Sequence, residues 1–428
     1  IDSNGDALTY VKARQFRRKR SQKKTISLGS PIMEVVHGSE MFGLIADDGS
    51  FRAIKPNGRT IQNVRPSSVA DNVTGVSMTK AAYVFLKGDG YAKSGGRDIS
   101  GGQLDKSGET ISGSDMSELM GGSVVDIVST DNAFVAVLDG FFAGVPTIKG
   151  DNSNLWGWQK DAWGGDVVDI EGDFDQLWTN RYALVGRRSD GFVEAWGHKG
   201  FGGHLSEADV VRIEDGQLVE VMSTSTAFAA VTENAPVLAW GDRGNGGKIP
   251  GKVDLHSRDV EKLTASEGAF LALKTDGTVV AWGNASAGGE IPRRFRDQLT
   301  GIHHIHAANY GFVAISEDEA FSWGSPYIDN QKVALPKGHS VKKVVSSAEA
   351  FAVLTDQGSV LTWGHEGLGG KPMKSVRDDL RSGIKDFAAT YGSMAAITDD
   401  GDLLAWGDSE FGGRTERYTP AVPASYFG

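Results

Sequence analysis

Residues 269–289 read AFLALKTDGTVVAWGNASAGG, and this stretch decides the fold. Ala269 to Leu273 alternate over a few residues, the period of a strand with one buried face. Asp276-Gly277 then predicts a tight hairpin of type I′, which needs positive φ at both central residues. The returning strand ends at Trp282, which supplies a large apolar surface. Gly283 and the pair Gly288-Gly289 permit backbone geometry closed to other residues.

The phrase recurs as AFAAVTENAPVLAWGDRGNGG from Ala227, AFAVLTDQGSVLTWGHEGLGG from Ala350 and SMAAITDDGDLLAWGDSEFGG from Ser393. A copy from Arg181, RYALVGRRSDGFVEAWGHKGFGG, reads with two extra residues, and GFVAISEDEAFSWG from Gly311 has a shortened hairpin and no closing glycine pair. Three earlier copies are degenerate. One runs DGSFRAIKPNG from Asp48, with Ile54 in the tryptophan place, and one runs DGYAKSGGRDISGG from Asp89. The third begins AFVAVLDG at Ala133 and reads as reaching its LWG at Leu155 after an inserted loop. The position of Phe270 is filled in the nine units by Phe42, Tyr83, Phe134, Tyr182, Phe228, Phe270, Phe312, Phe351 and Met394, spaced 39 to 51 residues apart.

A sheet of three or four short strands cannot bury both of its faces, so the units must stack. All-β repeats of this period read as blades of a β-propeller. A β-solenoid is the minor alternative, and the Asp-Gly turns with two-residue alternation exclude helical repeats. Seven tryptophans, Trp156, Trp196, Trp240, Trp282, Trp323, Trp363 and Trp406, stand before glycine and read as structural residues between blades. The expected architecture is seven such blades plus two degenerate N-terminal repeats, or a larger single ring. The expected division is a basic arm over 1–34, the repeats over 35–415 and a tail over 416–428.

The phrase A-F-x-A-L-x-x-D-G-x-V-x-A-W-G-x-x-x-x-G-G resembles the repeat of the regulator-of-chromosome-condensation superfamily. In repeat length it is more similar to the compact bacterial β-lactamase-inhibitor propeller of that superfamily than to the eukaryotic exchange factor. The resemblance implies a binding protein, either an enzyme inhibitor or a guanine-nucleotide exchange factor for a small GTPase. It is specific for fold and poor for function, because one fold hosts many functions. The clustered tryptophans in G-W-R-H-T phrases that mark the plant ultraviolet-sensing member do not occur here.

The 428 residues include 57 glycines and no cysteine. That glycine share exceeds the usual value of about 7% and agrees with many turns. Without cysteine, disulfides, thiolate metal sites and cysteine nucleophiles are excluded. The missing cysteines and the start at Ile1 point to a processed organellar or exported protein. No run approaches the roughly 18 apolar residues of a membrane span. The net charge of −11 conceals an asymmetry: Lys12, Arg14, Arg17, Arg18, Lys19, Arg20, Lys23 and Lys24 form a basic run with no acidic residue, and the remainder without those eight carries −19. Eight like charges repel unless something holds them, so this arm is the candidate partner-binding segment. Its partner is an acidic protein surface, an anionic membrane face or nucleic acid.

Candidates for chemistry are few. His304 and His306 would share one face of a strand beside His303, as a metal pair needs, but the segment aligns with ordinary inter-blade strands. Asp2 to Asp6 lack the glycine at the sixth loop position and the closing glutamate of a calcium loop. Gly244-Asn245-Gly246-Gly247-Lys248 fails the phosphate-loop spacing. No catalytic residue, metal or cofactor is assigned. Trp158, Trp163, Trp178, Tyr310, Tyr327 and Tyr391 lie off the repeat frame and are candidate binding aromatics. The function expected is a non-catalytic protein-interaction scaffold, an accessory subunit of a larger assembly. The alternatives are an enzyme inhibitor and an exchange factor.

Overall fold

The computed structural model describes residues 174–408, apart from Ser189, Lys252, Asp254, Gly401 and Asp402, and eleven strands within residues 1–173. The chain divides into two compact units, Ile1–Val210 and Val211–Gly428.

The first unit opens with strands Ala7–Val11 and Gln22–Ile26, paired antiparallel with Tyr10 opposite Lys23. Four three-stranded antiparallel sheets follow. They run Ile32–His37, Phe42–Ala46, Phe51–Ile54; then Val73–Met78, Ala82–Lys87, Ala92–Gly96; then Val124–Ser129, Phe134–Leu138, Phe141–Gly144; and Phe174–Thr179, Ala183–Arg188, Val193–Gly197. The first two sheets meet through aromatic rings, Phe51 lying 5.1 Å from Tyr83 and 5.7 Å from Phe85.

The second unit contains five more sheets. They are Leu218–Ser223, Ala227–Thr232, Leu238–Gly241; Val260–Ala265, Ala269–Lys274, Val279–Gly283; His304–Ala308, Gly311–Ile315, Glu319–Gly324 with a fourth strand Lys332–Ala334; Val341–Ser346, Ala350–Thr355, Val360–Gly364; and Ile384–Ala389, Ser393–Thr398, Leu403–Gly407. Each is a meander, and the described residues thus make nine small antiparallel sheets of the β-propeller blade type, four in the first unit and five in the second, an all-β fold. The strands at Phe228 and Phe270 lie in separate sheets. Among the described residues, no helix is long and apolar enough to cross a membrane.

The middle strand of a blade is buried on both faces, not on one. Ala227–Thr232 and Ala350–Thr355 are buried throughout, because alternate residues enter different cores. Ala269, Leu271 and Leu273 meet Phe312, Ala314 and Trp323 of the next blade. Phe270 and Ala272 instead meet Ala227 and Ala229 of the preceding one. The core is therefore a set of slabs between successive sheets, which is why one repeat alone has nothing to bury against.

Two parts of the repeat phrase join the blades. Trp282 lies opposite Phe270 with ring centroids 5.2 Å apart, and its Nε1–H donates to the Gly246 carbonyl of the preceding blade at 3.0 Å. Trp323 and Trp406 make the same bond to Gly288 at 2.9 Å and Gly369 at 2.8 Å. The first glycine of each closing pair holds φ near +100°: +97° at Gly246 and +96° at Gly288. A Cβ on Gly288 would stand 2.5 Å from Phe312 Cδ2, so the next blade's ring occupies the space a side chain would need.

Three readings of the sequence are corrected by strand register. Asp276-Gly277 is not a two-residue I′ turn. Lys274 and Thr278 close a three-residue loop, with Lys274 N donating to Thr278 O at 2.8 Å, and positive φ is confined to Gly277 at +76°. Asp276 need not be left-handed because its carboxylate accepts from Thr278 N at 2.9 Å, an Asx-type closure of the turn. In the fourth blade Leu184, not Tyr182, faces Trp196, and Ala183 pairs with Gly197, so this copy carries no extra residues. In the third blade Leu138 pairs directly with Phe141 across Asp139-Gly140, and the returning strand is Phe141–Gly144. The LWG at Leu155 is not that strand, and Trp156 lies outside the described residues.

A further device was invisible in the sequence. In eight of the nine described blades the register slips at the start of the first strand, as between Val124 and Asp126, Val260 and Lys262 or Val341 and Lys343. Such a bulge adds twist. The seventh blade, whose first strand begins at His304, pairs without one.

Candidate functional site

Two loops leave the same end of each blade: the turn joining its first and second strands, and the turn after the W-G pair. In the second unit the first kind of loop is tied from blade to blade through backbone. Ser225 N donates to Glu267 O at 3.0 Å, Glu267 N to Asn309 O at 2.8 Å, Tyr310 N to Ala348 O at 3.2 Å and Ala348 N to Tyr391 O at 2.9 Å. The second kind is self-capped. Asp242 accepts from Gly244 N at 2.9 Å and Asn284 from Ser286 N at 3.0 Å. Asn245 Nδ2 adds bonds of 2.9 Å to both Thr226 and Asp242. The result is a face of loops whose backbone is held independently of any ligand.

On this face the seventh, eighth and ninth blades place an aromatic and acidic cluster. Tyr327 is 62% exposed and Tyr391 is 49% exposed. The Tyr327 ring lies 5.0 Å from the ring of His365, whose Nδ1 is buried without a hydrogen-bond partner among the described residues. His365 N donates to Glu349 O at 2.9 Å. Ser325 Oγ donates to Glu349 Oε1 at 2.6 Å, fixing a half-buried carboxylate. Tyr310 is half-buried behind them, its carbonyl accepting from Ser325 N at 2.8 Å. Tyr327, Tyr391 and Tyr310 were singled out as lying off the repeat frame. Glu349 and His365 were missed because both occupy regular repeat positions, one before Ala350-Phe351 and one after Trp363-Gly364.

The histidine group does not converge on one point. His306 Nε2 lies 3.1 Å from Ser346 Oγ of the next blade, and Ser346 Oγ in turn donates to Ala307 O at 3.0 Å. Burial, with a smaller push from Lys262, lowers the His306 pKa to about 4. His304 is shifted down by partial burial and then by His303, whose ring is 5.0 Å away. Among the described residues no three His, Cys, Asp or Glu side chains are grouped to hold a metal ion. Gly244-Asn245-Gly246 belong to a self-capped turn. The displaced carboxylates have local causes. Hydrogen bonds from Thr278 bring Asp276 down to about 2, and those from Ser340 lower Asp356. Lys343, 2.7 Å away, lowers Asp386.

Of the basic run, Lys12, Arg14, Arg17, Arg18, Lys19 and Arg20 lie outside the described residues, as do Asp2 to Asp6, Trp158 and Trp163. Lys23 and Lys24 fall on the second strand of the opening hairpin, opposite Tyr10 and Thr9. Trp178 ends a first strand and is half-buried.

Comparison with solved structures finds distant likenesses. Yeast RCC1 (Prp20), in a complex with Kap60, is 18% identical over 59% of this chain and 74% of its own, with a TM-score of 0.35. The chain carries repeats similar to those of the regulator of chromosome condensation. Human WBSCR16 is 13% identical over 90% of this chain and 92% of its own, at a TM-score of 0.37. A eukaryotic initiation factor is 9% identical over 96% and 95%, at 0.45. No protein-family model and no curated protein matches the chain. Strand register, rather than these distant likenesses, defines the fold.

Proposed function

We propose that this protein is a non-catalytic interaction scaffold, an accessory subunit of a larger assembly. It binds other proteins through its loop face and through the basic 1–34 arm, with 35–415 as the repeat body and 416–428 as a tail. One observation carries the reading: Tyr327, mostly in solvent, and Tyr391, about half exposed, stand on loops tied to neighbouring blades. Rigid aromatic side chains on a preorganised scaffold are what interfaces use as anchors. Eight arm cations supply a long-range pull toward an acidic protein or nucleic acid. The same exposed tyrosines favour, as a second reading, a protein inhibitor of an enzyme.

The test is isolation of the tagged protein from its native source with lysine crosslinking and mass spectrometry. A stoichiometric partner is expected, crosslinked at Lys371 near the loop face or at Lys23 and Lys24. Recovery of a bare monomer under gentle lysis would overturn the scaffold reading. An isolated enzyme as the single partner, inhibited in assay, would select the second one.

A further inference from the structure

We propose that the loop cluster of Tyr327, Glu349, His365 and Tyr391 is a docking site for an arginine-bearing basic segment of a partner protein. This deepens the scaffold reading and rests on it. Glu349 is half-buried, one of its oxygens is fixed by Ser325 at 2.6 Å, and no cation pairs with it among the described residues. A carboxylate drawn out of bulk water with no counter-ion favours an incoming cation more than a solvated one does. The neighbouring acid, Glu366, already holds Lys371 at 2.5 Å. Glu349 therefore has the vacancy.

The surroundings select guanidinium over ammonium. The Tyr327 ring is 62% exposed and is held on one side by the His365 ring at 5.0 Å. Its outer face is open to a flat cation, and arginine stacks on tyrosine while its fork reaches a carboxylate. Tyr391 stands on the adjoining loop of the ninth blade, its carbonyl accepting from Ala348 N, the residue before Glu349, at 2.9 Å. Tyrosines on loops of two different blades thus stand around one acid. The arrangement is preorganised, because Ser325, Glu349 and His365 are locked by hydrogen bonds within and between blades. An acidic or phosphorylated segment would meet the Glu349 carboxylate at the centre of the cluster.

The experiment measures binding of a short fluorescein-labelled arginine–glycine peptide to the full chain by anisotropy at low salt. Peptides with lysine or glutamate in place of arginine serve as comparators. Arginine is expected to bind more tightly than lysine, and glutamate not at all. Tyr327→Ala and Glu349→Gln should each weaken binding about five- to thirtyfold, while Tyr327→Phe, which keeps the ring, should leave it nearly intact. The double variant should lose less than the product of the two, because both groups grip one guanidinium. Glu317→Gln, an exposed acid on a hairpin at the opposite end of its blade, is the control and should change nothing.

Equal binding of all three peptides, or the same loss in Glu317→Gln as in Glu349→Gln, would overturn the proposal. Glutamine keeps the bond accepted from Ser325, and Tyr327 is largely in solvent, so neither variant threatens folding. If native isolation still returns a partner from the Tyr327→Ala, Glu349→Gln protein, the scaffold reading stands and this site alone fails.

Discussion

Gly288→Ala tests the way blades are joined. The substitution adds one methyl group in two unfavourable settings. The backbone at Gly288 has φ +96°, where an L side chain costs about 1–2 kcal/mol. The new Cβ would also lie 2.5 Å from Phe312 Cδ2, 2.9 Å from Cε2 and 3.3 Å from Gly311 Cα. Phe312 is fully buried, so its ring cannot swing into solvent, and overfilling such a core costs about 1–3 kcal/mol. Together the two predict about 2–5 kcal/mol. Two other glycines separate them. Gly301 has φ +63° with nothing within 4 Å of its Cβ position, so Gly301→Ala isolates the backbone term at about 1 kcal/mol. Gly251 has neither problem, and Gly251→Ala should be neutral within about 0.5 kcal/mol. Native-state hydrogen exchange on the strands Ala269–Lys274 and Gly311–Ile315 reads the opening free energy of these two blades directly. Trimming the ring, as Phe312→Leu in the Gly288→Ala background, should recover part of the loss. If Gly288→Ala costs no more than Gly301→Ala, close contact between glycine and the next blade's ring is not what the closing pair is for.

The remaining predictions follow the same contacts. Trp282→Phe leaves the Gly246 carbonyl without its 3.0 Å donor in a buried seam, and exchange protection should fall by about 1–3 kcal/mol. Ser322→Ala removes the acceptor of Trp363 Nε1 at 3.0 Å, and an equal loss is expected in the next seam. His306 has a folded-state pKa lowered to about 4 from an unfolded value near 6.5. Its contribution to stability is complete above about pH 6.5 and is lost as pH falls toward 4, by up to about 3 kcal/mol. Urea titrations across that window should flatten in His306→Gln, and an unchanged slope would rule His306 out. Asp276, with a pKa near 2, stabilises its turn above about pH 4 and loses that effect as pH falls toward 2. Carboxyl NMR should find the low midpoint, and Thr278→Val should raise it.

How much of this was legible follows from what each residue answers to. The Ala-Phe strand, the W-G pair and the closing glycines were readable because their neighbours are copies of themselves, so periodicity reports the contact. The fourth blade misled for a physical reason. Tyr182 is the more aromatic candidate, but the frame is set by Ala183 opposite Gly197, where a Cβ on the glycine would meet Tyr182 O at 2.4 Å and Ala183 Cα at 2.8 Å. Hydrophobicity alone cannot detect that collision. The third blade closes its hairpin with Phe141-Phe142 and no tryptophan, so a search anchored on tryptophan overran to Leu155. The first-strand bulges leave no mark, because one extra residue at a strand start resembles a loop ending. At the candidate site the exposed tyrosines were visible as departures from the frame. Glu349 was not, since its unpaired state depends on which side chains surround it.

The departures and the site share a cause. In the sixth blade the turn after Trp282-Gly283 is capped by Asn284, and Gly288 closes over Phe312. The seventh blade has no closing pair, and other residues take over both of its duties. Trp363 donates to the Ser322 hydroxyl instead of a glycine carbonyl, and Ile328, fully buried, reaches to 2.5 Å from where a Gly311 Cβ would stand. With Ile328 filling the seam, the turn Ser325-Pro326-Tyr327 no longer needs glycine and can carry a large side chain outward. Ser325 Oγ still caps its own turn, accepting from Tyr327 N at 3.3 Å, but as a hydroxyl it also donates to Glu349 of the eighth blade. Restoring the repeat should therefore erase the site. Replacing Ser325 to Asn330 with Asn284 to Glu290, the turn of the sixth blade, should preserve the fold while abolishing the arginine preference. Retained preference in that chimera would locate recognition elsewhere on the loop face.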